Sequence, residues 1–150
     1  MKVFIVTGSV CTGKTTLAKL IAKKHHAIYI NVNELIKEYK LYSNYDKKFK
    51  SYIVDSKKLN KFLIRLIKNS RNNLVLDSHL THYLPSKYVD LCYVTKCELK
   101  ELKKRLMKRR YSKEKVRENL DAEILDVCLV EALENKHKVK VIDTTKGINL

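Results

Sequence analysis

Apolar and polar positions fall along the chain in short blocks whose period switches repeatedly. Val3-Phe4-Ile5-Val6, closed by Thr7, is short and uniformly apolar, the pattern of a strand buried on both faces. Lys14–Lys24 follows as an amphipathic helix, Ala27-Ile28-Tyr29-Ile30 as a second strand, and Val32 to Tyr39 as a short helix that Asn31 or Asn33 can cap. Residues 40–55 (K-L-Y-S-N-Y-D-K-K-F-K-S-Y-I-V-D) are Tyr-rich and polar with no clear period, and they read as an irregular inserted loop of the binding kind. From Ser56, the residues Leu59, Phe62, Leu63, Leu66 and Ile67 recur at helical spacing. Leu74-Val75-Leu76-Asp77 is a buried strand ending in a carboxylate. A loop with the only proline, Pro85, leads to the strand Leu91-Cys92-Tyr93-Val94. Glu98 to Arg110 predicts a basic amphipathic helix with Leu99, Leu102 and Leu106 inward. Tyr111 breaks it, and Ser112 caps a long helix running to about Asn135, with Glu114 in its first turn. Val139-Lys140-Val141-Ile142 is the last strand. Five short apolar strands with intervening helices predict an α/β fold, a five-stranded parallel sheet with helices on both faces.

Length and composition add bounds to that picture. At 150 residues and 45% apolar, residues 1–150 form a single domain large enough for a proper core. No apolar run approaches the ~20 residues of a membrane span, and Val3–Val6 is too short for a signal peptide core. Cys11, Cys92, Cys97 and Cys128 form no C-x-x-C pair and lack zinc-site spacing, and Cys92 and Cys128 sit in apolar surroundings. A reducing, cytoplasmic location is the expectation. Lys and Arg total 32 against 16 acidic residues, a formal charge of +16. Such a surface attracts polyanions, RNA foremost in the cytosol. Lysine spread evenly along the chain equally fits a bias of composition or habitat.

Candidate chemistry concentrates at three places. Gly8 to Thr16 read G-S-V-C-T-G-K-T-T, which is G-x-x-x-x-G-K-[ST] between a buried strand and a helix, the context of a working phosphate-binding loop. Two of the chain's three glycines lie here. Lys14 reaches β- and γ-phosphates, the Thr15 hydroxyl ligates Mg²⁺, and the amides of residues 11–16 form an anion nest at a helix N-terminus. The loop implies a nucleoside triphosphate. Asp77-Ser78-His79 is the second place. Asp77 ends a buried strand, where open α/β sheets bind ligands, and it holds Mg²⁺ through water or orients the attacking group, or else caps the next turn. His79 is a loop histidine open to a functional or a surface role. His25 and His26 end the first helix, while His82 and His137 read as solvated. Arg105, Arg109 and Arg110 are the third place. Arg109, at the helix break, suits a lid closing over a transferring phosphoryl group; Lys100, Lys103, Lys104 and Lys108 read as a solvated basic face.

Taken in order, G-S-V-C-T-G-K-T-T, Y-I-N-V-N-E-L with L-Y-S-N-Y-D, D-S-H, R-L-M-K-R-R-Y-S and N-L-D-A-E-I-L-D-V-C-L-V-E-A resemble the archaeal-type adenylate kinase family, which includes the CINAP-type nuclear adenylate kinases and ribosome-assembly ATPases. The resemblance spans nearly the whole chain. It implies a P-loop NTPase fold of the nucleoside-monophosphate-kinase type, with an NMP-binding region near 31–54 and a lid near 108–118. It implies the reaction ATP + AMP ⇌ 2 ADP with Mg²⁺, ATP hydrolysis, and a part in small-subunit maturation with a ribosomal protein and rRNA. By resemblance, Lys14, Asp77, His79 and Arg109 are catalytic. Cys11, Gly13, Lys14, Thr15, Thr16 and Arg109 bind ATP; Asn31, Val32 and Lys37 bind AMP; and Thr15 and Asp77 hold the metal. Two positions depart from the family. Cys11 stands where glycine is usual and keeps its amide available if its φ stays negative. Lys37 replaces an arginine on the AMP phosphate, keeping the charge but losing the bidentate fork. A shikimate- or gluconate-type kinase shares this fold, but residues 40–55 offer no arginine for a carboxylate substrate.

Overall fold

A computed structural model describes residues 1–148 and 150. Its main sheet has five strands, β1 (Val3–Gly8), β2 (Ile28–Asn31), β5 (Leu74–Asp77), β6 (Leu91–Lys96) and β7 (Val139–Asp143), in the order β2-β5-β1-β6-β7. All four pairings are parallel, as predicted. Every residue of β1 is buried, because the strand is central and covered on both faces. The two-residue period of the strand divides its side chains between two cores. Val3 and Ile5 join Leu74, Leu76, Cys92 and Val94 beneath helices α2 (Val32–Glu38), α3 (Ser56–Asn69) and α6 (Val127–Glu134). Phe4 and Val6 join Val75 and Tyr93 beneath Leu17, Ala18 and Ile21 of α1 (Lys14–Lys24).

A third, smaller core lies at the top of the molecule. Leu102 and Leu106 of α4 (Leu99–Lys108) pack with Val116 and Leu120 of α5 (Lys113–Ile124), and with Val10 and Cys11 of the loop after β1. The α4–α5 pair therefore rests on the phosphate-binding loop itself. Ser112 caps α5 by accepting from the Lys115 amide at 3.2 Å, and Asn31 caps α2 by accepting from Asn33 and Glu34.

Two predicted elements differ. Residues 40–55 are no irregular loop: β3 (Tyr42–Asp46) and β4 (Ser51–Val54) form an antiparallel hairpin. Its turn is closed by the Asp46 carboxylate, which accepts from the amides of Lys48 and Phe49 at 2.9 and 3.2 Å. Its strands are held by Tyr52, whose ring centroid lies 4.4 Å from that of Tyr42 and 5.1 Å from that of Tyr45. The long helix to Asn135 is two helices, α5 and α6, broken where Asp126 takes a φ of +51°. The break lets buried Glu123 turn inward. Its carboxylate accepts from the Ser9 hydroxyl at 3.2 Å, the Cys97 amide at 2.8 Å and the Lys96 ammonium at 3.2 Å, while Lys96 also pairs with Asp126.

Candidate active site

The loop between β1 and α1 has the backbone that an anion site requires. Gly13 precedes α1 with a φ of +85°, and no side chain caps the helix, so its first amides stay free for an anion. Gly8 is tightly enclosed: a Cβ there would lie 2.9 Å from Thr12 Oγ1 and would collide with the Thr95 hydroxyl. Cys11 departs from expectation. Its φ is +66°, the left-handed conformation that glycine adopts freely. Arg105 steadies the strained turn from α4, donating to the Cys11 carbonyl at 3.3 Å and to the Thr144 carbonyl at 2.7 Å.

Because β5 lies beside β1, with Asp77 in register with Val6, its terminal carboxylate comes up beneath the loop. Asp77 is 4% exposed. Its Oδ2 accepts from the Thr15 hydroxyl at 2.8 Å and from the Tyr29 hydroxyl at 2.7 Å. Lys14 Nζ donates to the Ser9 carbonyl at 2.9 Å. Burial lowers the Lys14 ammonium from its ordinary value, against the pull of Asp77. Burial and the bond to Asp77 push the Tyr29 hydroxyl up to about 12, so it remains a donor at neutral pH. His79 is pushed down to about 4 by burial, with Lys14 and His82 adding to the effect, and is a neutral imidazole at pH 7.

Cys11, Gly13, Lys14, Thr15, Thr16, Asn31, Asp77, His79 and Arg109 all line one cleft of about 660 Å³. Two predicted residues stand apart from it. The Val32 side chain is fully buried in the core, and Lys37 is exposed on α2 away from the cleft. Arg109 ends α4, where the neighbouring Cys11 and Tyr111 raise its guanidinium above the ordinary value. A second hollow of about 430 Å³ opens on the other side of the loop, between Arg105 and Arg109 and the segment from Thr144 to Ile148.

Sequence reasoning missed the wall of the cleft. His82, read as solvated, is 1% exposed; its Nδ1 lies 2.7 Å from the Thr7 hydroxyl and its Nε2 3.3 Å from Glu131. Glu131 also accepts from the Tyr83 hydroxyl at 2.7 Å, and His137, likewise buried, bonds the His82 carbonyl at 2.9 Å. Burial lowers the His82 imidazole despite Glu131. Cys128 also lines the cleft rather than an apolar core, and burial raises its thiol. Tyr29 had no signal beyond its place in a strand; its partnership with Asp77 needs the β2–β5 pairing.

Residues 5–126 match the family described as AAA domain. Over 140 residues the chain is 41% identical to a putative adenylate kinase of Methanocaldococcus jannaschii, covering 93% of this chain and 75% of that one. It is 34% identical over 139 residues to an adenylate kinase isoenzyme 6 homolog of Dictyostelium discoideum, covering 92% and 77%. In three dimensions it is similar to shikimate kinase from Bacteroides thetaiotaomicron, with a TM-score of 0.57, 16% identity and coverage of 95% and 86%. At that identity the likeness concerns the fold alone.

Proposed function

The chain belongs to the archaeal-type adenylate kinase family, and on that premise we propose that it transfers the γ-phosphoryl group of ATP to AMP, giving two ADP, and also hydrolyses ATP. The observation that carries this reading is the Thr15 hydroxyl 2.8 Å from Asp77 at the foot of a cleft that also holds Lys14 and His79. An oxygen of the AMP phosphate attacks the γ-phosphorus as the bond to the β–γ bridging oxygen breaks, and the electron pair leaves with ADP. Free α1 amides receive the β-phosphate, and Lys14 exchanges the Ser9 carbonyl for the phosphate oxygens, where its charge matches the charge developing in transfer. Arg109, on the lid, adds a second cation from above. The hollow between Arg109 and Thr144–Ile148 is the seat for the base of ATP.

Thr15 and Asp77 present hard oxygen donors side by side, a set that suits Mg²⁺ better than a softer metal. When bound, Mg²⁺ neutralises charge on the β- and γ-phosphates. Tyr29 holds the Asp77 carboxylate in orientation. In hydrolysis the acceptor is water. His79, kept neutral, is a hydrogen-bond partner for that water rather than a fixed charge.

A second reading, a nucleotide-switched ribosome-assembly ATPase with little kinase activity, is favoured by one observation. Asn31, Asn33, Phe49 and Ser51 line the side of the cleft assigned to AMP, with no arginine among them, and Lys37 lies outside. In either reading we propose a part in small-subunit maturation in the cytoplasm, beside a ribosomal protein and rRNA; the charge of +16 supports the contact with rRNA. ADP release with and without AMP separates the two. Stimulation of ADP formation by AMP supports the kinase, and hydrolysis indifferent to AMP supports the second reading. Recovery of a small-subunit ribosomal protein and rRNA from extract with a non-hydrolysable ATP analogue, but not with ADP, supports the maturation role. Identical recovery in both nucleotides removes it.

A further inference from the structure

We propose that the β3–β4 hairpin is a binding surface for single-stranded nucleic acid, its tyrosines stacking bases and the lysines of its tip holding phosphates. This goes beyond the nucleotide chemistry of the cleft and stands whichever reading of that chemistry is correct. The hairpin carries an aromatic strip: Tyr42 packs on Tyr52 at 4.4 Å and a 40° interplanar angle, and Tyr52 meets Tyr45 edge-on at 5.1 Å. Tyr42 and Tyr52 are half-buried, whereas Tyr45 is 42% exposed. Its neighbour already restrains the Tyr45 ring, so a base stacking on it orders little that was free.

Charge is arranged along the same strip. Lys47, Lys48 and Lys50 are exposed around the turn, with Lys48 Nζ 5.5 Å above the Phe49 ring. Lys40, Lys57 and Lys58 continue at its foot, where Lys58 Nζ reaches the Lys40 carbonyl at 3.1 Å. The two acidic residues of this stretch are engaged with backbone amides, Asp46 in the turn and Asp55 as the cap of α3. Alternating aromatic faces and ammonium groups are what a single strand demands, since it presents unpaired bases and a phosphate line together. The exposed lysines of α4, Lys100, Lys103, Lys104 and Lys108, have no aromatic residue on their helix; they offer charge alone. Charge alone does not distinguish a duplex from a strand.

The test is fluorescence anisotropy with labelled oligouridine and oligothymidine across a range of salt, with a duplex of the same length as competitor. Tyr45→Leu keeps an apolar side chain but removes the stacking face, and it weakens binding about 5- to 150-fold, the range of one base–aromatic stack. Lys47→Ala/Lys48→Ala/Lys50→Ala flattens the slope of log affinity against log salt by about 2, roughly 0.7 for each lost phosphate contact on a single strand. Thermal unfolding of each variant shows whether the fold is kept, and a Tyr45→Phe variant that retains binding separates stacking from collapse of the hairpin. Tighter binding of oligouridine identifies RNA as the ligand, and equal binding leaves the surface open to any single strand; both support the proposal. It is overturned if Tyr45→Leu binds like the unaltered chain, if duplex competes as well as the strand, or if Lys100→Ala/Lys103→Ala/Lys104→Ala costs as much as the hairpin variant.

Discussion

Cys11 carries a Cβ at a φ of +66°, in the middle of the phosphate-binding loop. A side chain in the left-handed region costs about 1–2 kcal/mol, while glycine loses roughly 0.5–1 kcal/mol more chain entropy on folding. Cys11→Gly should therefore stabilise the chain by about 0.5–1 kcal/mol in urea unfolding; a loss would mean that thiol packing against the small α4–α5 core outweighs the strain. Lys14→Met removes the cation that tracks the γ-phosphate, with an expected loss of at least ~10² in turnover, about 2.7 kcal/mol of transition-state stabilisation. Steady-state rates within about threefold of the original would sink the assignment of this loop. His79 governs a pH dependence. Its folded value of about 4 lies below the ordinary 6.5, so between those values the unfolded chain takes up a proton that the folded chain refuses. Its contribution to stability is complete above pH 6.5 and declines as pH falls toward 4. Urea unfolding at about pH 7 and about pH 5 should show a smaller acid loss for His79→Asn than for the unaltered chain; equal losses would place the titration elsewhere.

At the level of elements, α5 and α6 meet at a polar hub. Glu123 joins Ser9 of the phosphate-binding loop to Lys96 and to the Cys97 amide, so the helix that begins in the lid is tied at its far end to that loop. Glu123→Ala leaves a buried amide and an ammonium short of an acceptor, and a destabilisation of about 2–3 kcal/mol is expected by denaturant unfolding. A change below about 0.5 kcal/mol would show that Asp126 alone satisfies Lys96. The same hub explains why the sequence pattern predicts a single long helix from 112 to 135. No proline or glycine marks the break; it comes from Lys96 and Cys97, roughly 30 positions away. Elements buried on both sides were legible, β1 and β5 above all, because a continuous apolar run has one comfortable place in a sheet. The hairpin was not, because its faces are half-exposed and its stability lies in Tyr42, Tyr45 and Tyr52 meeting across strands. Lys14, Thr15, Asp77 and His79 converge as their motifs implied. The wall built by His82 and Glu131 was hidden, since a histidine's burial is decided by partners such as Thr7, 75 residues away.

For the whole molecule, one ligand decides between its two functional readings. The cleft runs from Arg109, past Lys14 and Asp77, to Asn31 and to Phe49 and Ser51 of the hairpin, while the hollow beside Thr144–Ile148 opens on the other side of the phosphate-binding loop. If both ends are nucleotide seats, a compound with two adenosines joined by five phosphates occupies them at once, and the second adenosine binds as an intramolecular event. Its affinity should then exceed that of ATP by a factor of about 10² or more. Stability follows by mass action: a concentration of the compound about 100-fold above its Kd adds roughly 2.7 kcal/mol, visible as a rise in Tm, and at that same concentration ATP adds far less. Arg109→Ala weakens both ligands, because the lid arginine serves the ATP end that they share. Ser51→Tyr, which fills the far end, weakens only the two-adenosine compound. Should ATP and the compound bind equally, with Ser51→Tyr without effect on either, the AMP seat is not functional and the chain is a hydrolase that uses the kinase fold as a switch. The sheet order brings the two groups together: β1 and its neighbour β5 carry Lys14 and Asp77 to one cleft at the carboxyl ends of the strands, where a transferred phosphoryl group would have to pass.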